Sequence, residues 1–173
     1  MRRFASFLLI LFCLAATSAA PHPDALSKKF VGAWRLVSIQ GTSPGRPNSY
    51  DRPTGLIMYD ASGHMGVNIT LKADRKPFAP CAKGLLSATT EEKASAFETY
   101  AAYYGTYTLD ATAGTVTHHI EGNLIPGRQG TDNVRWFDFQ DDDHLWLTPI
   151  EDGKGGVLAR KDAAYKLLWE RLK

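Results

Sequence analysis

The chain is poor in cysteine, close to charge balance, and has no apolar run long enough to cross a bilayer. Its 173 residues include two cysteines, Cys13 and Cys81. Cys13 falls in a stretch that reads as a removable leader, so the mature chain keeps Cys81 alone and forms no internal disulfide. Cys81 sits in a Pro-bounded loop, residues 77–84, where Lys83 is its only basic neighbour; that is too little to activate a catalytic thiolate. Lys and Arg number 20 against 18 Asp and Glu. Removing Arg2 and Arg3 with the leader brings the count to 18 against 18, so a sequence pI near 8.5 overstates the basicity. A neutral surface offers no electrostatic case for nucleic acid or an anionic membrane. The sequence holds no His-Glu-x-x-His, Cys-x-x-Cys, phosphate loop or dinucleotide fingerprint. Asp141, Asp142 and Asp143 lack the spacing of a calcium loop and read as a solvated turn. No cofactor and no metal site is expected.

What is present is ordinary globular composition: 44% hydrophobic and 22% charged residues. Residues 1–20 carry Arg2-Arg3, then an apolar run over 4–16, then Thr17-Ser18-Ala19-Ala20, the order of a secretory signal peptide. The run is shorter than the roughly 20 residues a membrane helix needs. Phe12 before Cys13 is too large for lipoprotein processing. The expectation is a single mature domain over 21–173, secreted or periplasmic, with no integral membrane association once the leader is gone.

Short apolar stretches separated by turn residues fill most of the mature chain. They predict strands over 34–40, 56–59, 64–71, 105–109, 115–121, 133–139, 144–150 and 166–171. Asp60-Ala61-Ser62-Gly63 and Gln140-Asp141-Asp142-Asp143 are turn sequences, so their flanking strands form hairpins. A short helix is expected over 24–30. A second is expected over 89–103, where Thr89 and Glu92 make a capping box and Phe97, Tyr100 and Tyr104 keep helical spacing. Eight strands in hairpin order, with no βαβ alternation, indicate an all-β barrel or sandwich.

Gly32-Ala33-Trp34 opens the first strand and Trp169-Glu170-Arg171 ends the last. This pairing resembles the calycin superfamily and, with residues 32–38, 55–65, 103–107 and 116–119, its lipocalin-like domain branch. The resemblance implies an up-and-down antiparallel eight-stranded β-barrel with a central cavity. It also implies closure of one end by Trp34 under the Arg171 guanidinium. It implies little about activity, since fold does not specify function.

Strand alternation with Trp34 inward places Leu36 and Ser38 inward and Arg35, Val37 and Ile39 outward. Tyr59, Asn68, Tyr107 and Arg135 are polar residues in otherwise apolar strands. His119 and Glu121 share a strand face, while His118 shares the other with Val116 and Ile120. The candidate ligand-contacting set is Ser38, Tyr59, Asn68, Tyr107, His119 and Arg135. If the protein is an enzyme, His119 with Glu121 is the candidate acid–base pair. Adjacent histidines point to opposite faces, which argues against a shared metal ion. Tyr100, Tyr103, Tyr104 and Tyr107 suit packing or an aromatic barrel mouth. Asn68-Ile69-Thr70 matches a glycosylation sequon but lies in a predicted strand. Three readings follow: a binder of a small hydrophobic or aromatic molecule, an isomerase, cyclase or dehydratase using the same cavity, or a structural barrel filled by its own side chains.

Overall fold

The computed structural model describes residues 23–41, 52–79, 86–150, 159 and 163–173. The leader, Cys13 and Cys81 lie outside them. Within them, helix α1 (Pro23–Phe30) is followed by β1 (Gly32–Gly41), β2 (Thr54–Tyr59) and β3 (His64–Thr70). Then come α2 (Thr90–Glu98), β4 (Tyr100–Asp110), β5 (Thr115–Asn123), β6 (Asp132–Phe139), β7 (His144–Pro149) and β8 (Tyr165–Arg171). Each strand pairs antiparallel with the next and β8 returns to β1, giving a closed eight-stranded up-and-down barrel. Closure leaves no free sheet edge.

The local chemistry explains the elements. Pro23 starts α1, where its missing N–H is harmless. At the β2–β3 turn the Asp60 carboxylate accepts from the backbone N–H groups of Ser62 at 2.8 Å and His64 at 2.9 Å. These bonds hold the Asp60 carboxyl below its ordinary range, the His64 N–H contributing most. Gly63 follows at φ +92°, a conformation that favours glycine. The Thr89–Glu92 capping box forms and starts α2. The helix is shorter than its spacing suggests. Tyr100, Ala101, Ala102, Tyr103 and Tyr104 instead ladder onto Thr70, Ile69, Asn68, Val67 and Gly66 of β3, so the barrel's hydrogen bonds claim the segment. That override of local propensity by tertiary pairing moves Tyr103 from a helix face to the barrel wall.

Two register shifts set which side chains face inward. In β1 the partners pass from Leu36↔Trp169 to Ser38↔Leu168, leaving Val37 as an extra residue. In β5 they pass from Gly105↔Ile120 to Tyr104↔Gly122, leaving Glu121 as the extra residue. The strands approach closely there: a Cβ on Gly105 would overlap the His119 carbonyl oxygen.

The two ends of the barrel differ. The β2–β3, β4–β5 and β6–β7 turns gather at one end with α1 and the Arg171 end of β8. Phe30 fills this end at 0% exposure, with edge-on contacts to Tyr59, Phe137 and Phe139 at 5.1–5.2 Å. Trp34, also fully buried, donates its indole N–H to the Phe30 carbonyl at 2.9 Å. The Arg171 guanidinium stacks 4.0 Å from the Trp34 ring. It also donates to the Val31 carbonyl at 2.9 Å and the Lys29 carbonyl at 2.6 Å. Those bonds satisfy backbone acceptors that the end of a helix leaves free. Helix α2 leads into the Tyr100 end of β4, which is the other end.

Candidate functional site

The open half of the barrel contains a cavity of about 180 Å³. Its walls are mostly aliphatic, from Ile39, Ile57, Val67, Ile69, Leu147 and Leu167 among others. Its polar lining comes from Arg135, Tyr103, Tyr165 and Trp169. A larger concavity of about 660 Å³ lies outside the barrel, between α2 and β4. It is an open apolar surface groove whose charged lining among the described residues is Arg75 and Lys93, with no convergent polar cluster among them. The barrel cavity therefore has the better ligand-site chemistry, an apolar body with a few fixed polar groups.

β5 alternates with Val116, His118 and Ile120 buried, which turns His118 inward and His119 outward. This reverses the expectation that His119 faces the cavity. His119 sits on the outer surface, 2.8 Å from an Asp132 carboxylate oxygen and 3.0 Å from the Thr108 hydroxyl. Glu121 is exposed at the bulge. The suggested His119–Glu121 acid–base pair thus lies outside the cavity, because β5's apolar face is the one it buries. The hydroxyl of Tyr107 donates to the Asp60 carbonyl at 2.9 Å, tying it to the closed end. Asn68 is exposed on the outer face, where its side-chain oxygen accepts from the Tyr100 hydroxyl at 3.2 Å. Ser38 is out of phase with the cavity because of the β1 bulge. Ile39 takes the inward position opposite Leu167, and Ser38 pairs with the outward Leu168. The Ser38 hydroxyl is buried with no hydrogen-bond partner.

Tyr59 and Arg135, in contrast, join one internal polar network. The Tyr59 hydroxyl lies 2.8 Å from His118 Nε2, and the Tyr103 hydroxyl lies 3.0 Å from His118 Nδ1. Burial pushes the His118 imidazole well below its ordinary pKa, and the Arg135 charge adds to this. His118 is therefore neutral at pH 7, with one N–H to donate and one nitrogen to accept. One of the two phenols must then accept from it, and that phenol's own O–H is left over for another partner. Burial likewise raises the Tyr59 phenol well above 10.

Arg135 faces inward opposite Val116 and Pro149 and lines the cavity. Burial opposes its charge. Its pKa nevertheless lies above the ordinary guanidinium value, so it stays protonated, and the Tyr103 hydroxyl interacts with it directly. Among the described residues it has no carboxylate partner; their ion pairs lie on the outer surface and at the Arg171 end. The indole N–H of Trp169, which also lines the cavity at 1% exposure, has no acceptor. Among the described residues no three His, Cys, Asp or Glu side chains group as metal ligands.

His118, Tyr103, Tyr165 and Trp169 were absent from the candidate set. For His118 a signal existed: it alternates with Val116 and Ile120, the more apolar face of β5. For Tyr103 the helical spacing concealed the strand.

An eight-stranded meander plugged at one end by a helix, with an apolar cavity in the other half, is a calyx-type barrel. The chain belongs to the lipocalin-like domain family: that family's model matches residues 31–172. None of the curated proteins matches the chain.

Proposed function

We propose that the protein binds a small, largely hydrophobic molecule in the open-half cavity. The fold is of a kind suited to small-molecule binding in general. The observation that supports the reading most is the cavity's composition, aliphatic walls with polar groups converging from β4, β6 and β8. Burial of the ligand's apolar surface supplies affinity and the polar groups orient it. A cavity of about 180 Å³ remains between the side chains, which weighs against a fully self-filled structural barrel.

Trp169 lines the cavity, so its fluorescence reports occupancy. Titration with a panel of small aromatic and branched aliphatic compounds is expected to give saturable quenching near micromolar concentration. Flat responses across the panel, together with an empty solvent extract of the protein from its native host, would overturn the reading.

The proposal extends to location. The leader-like residues 1–20 support export to the periplasm or beyond. The intact mass of the protein from the extracytoplasmic fraction is expected to lack about the first 20 residues. An unprocessed chain confined to the cytosol would sink this part.

A further inference from the structure

The geometry points to a small organic acid as the ligand, its carboxylate held at Arg135 and its apolar body against the aliphatic wall. This rests on the binding reading above and narrows it.

Arg135 is the first reason. A guanidinium taken out of water needs an anion or a full set of acceptors. Its described neighbours are phenols, which offer only neutral oxygens, and it lies on the cavity surface. A carboxylate arriving from the cavity supplies the missing negative charge and matches the planar fork with two parallel hydrogen bonds.

A second observation agrees. The phenols of Tyr103 and Tyr165 are the other polar groups that reach the cavity, and the Tyr103 hydroxyl already serves both His118 and Arg135. None of the described lining residues is acidic, so a carboxylate meets no like charge there, whereas an amine faces the guanidinium.

Size sets the rest. A cavity of about 180 Å³ is slightly larger than the roughly 150 Å³ void known to take benzene. It fits an acid with one ring or a short branched chain. Long-chain fatty acids do not fit within this volume.

The test compares benzoate and phenylacetate with benzamide and benzyl alcohol, by calorimetry on the mature chain at pH 7. The acids are expected to bind at least ten-fold more tightly than the neutral analogues. Arg135→Met is expected to remove that preference while retaining benzyl alcohol binding. Without ligand, its melting temperature should be unchanged or higher, because a half-buried charge with no carboxylate partner among the described residues is replaced by an apolar side chain of similar length. Arg135→Lys should keep part of the acid preference. Equal affinity for acids and neutral analogues, or acid binding unaffected by Arg135→Met, overturns the carboxylate assignment and leaves the binding reading intact. No binding of any of the four compounds, with Arg135→Met melting lower, overturns the assignment and makes Arg135 a structural wall residue. The wider fluorescence panel then decides the binding reading separately.

Discussion

Trp34→Ala lowers the unfolding free energy by about 3–5 kcal/mol, the range for deleting a fully buried large aromatic. The indole at the closed end makes three contacts that no neighbour replaces. It fills space at 0% exposure, donates to the Phe30 carbonyl at 2.9 Å, and carries the Arg171 guanidinium 4.0 Å above its ring. Alanine leaves a void beside Phe30 and an unsatisfied helix carbonyl. Trp34→Phe retains much of the volume but not the hydrogen bond, so its loss is smaller. Arg171→Ala also destabilises, since the carbonyls of Lys29 and Val31 lose their donor. Urea unfolding monitored by circular dichroism measures all three. A Trp34→Ala loss below about 1 kcal/mol would show that α1 and Phe30 close the barrel without the indole.

Acidification destabilises the protein through His118 before its carboxylates titrate. In the unfolded chain His118 takes up a proton near pH 6.5, whereas in the barrel burial and Arg135 hold its pKa well below that. The unfolded state therefore binds more protons as pH falls through and below 6.5, and folding stability declines. The contribution is complete above the unfolded pKa. It is lost at up to about 1.4 kcal/mol per pH unit on the way down to the folded pKa. His118→Gln keeps a buried donor and acceptor but does not titrate. Its stability should be lower at pH 7.5, with one Tyr hydrogen bond weakened, and should fall less on acidification. Parallel stability curves for the two proteins from pH 7.5 to 5.0 would contradict the assignment of His118 as a neutral buried base. The outward His119 is the natural control: its removal should leave the slope of the His118 contribution in place.

Much of the architecture was legible in the chain because it depends on neighbours in sequence. Short apolar stretches between turn residues mark the strands apart from the first half of β4, and Asp60 with Gly63, or Thr89 with Glu92, specify a turn and a helix start through bonds spanning two to four residues. The family resemblance lay likewise in short runs such as Gly32-Ala33-Trp34. The internal site was less legible. Residues 118 and 119 are both histidine; alternation shows that they face opposite ways, and only the apolar company of Val116 and Ile120 points to His118 as the inward one. Ser38 illustrates the same limit from another side. One extra residue at Val37 changes the phase, and nothing in residues 34–40 announces it.

Strand number, hairpin order and two helix starts were thus decided by local sequence. Patterns of period two and turn chemistry act over a few residues and survive without the rest of the molecule. The inward set was decided by closure. Pairing β8 with β1 brings Arg171 over Trp34 across the whole length of the chain. The register of β4, β5 and β6 brings Tyr103, His118 and Arg135 into one network. Those contacts depend on bulges, shear and the burial of one sheet face over the other, which are properties of the closed barrel as a whole.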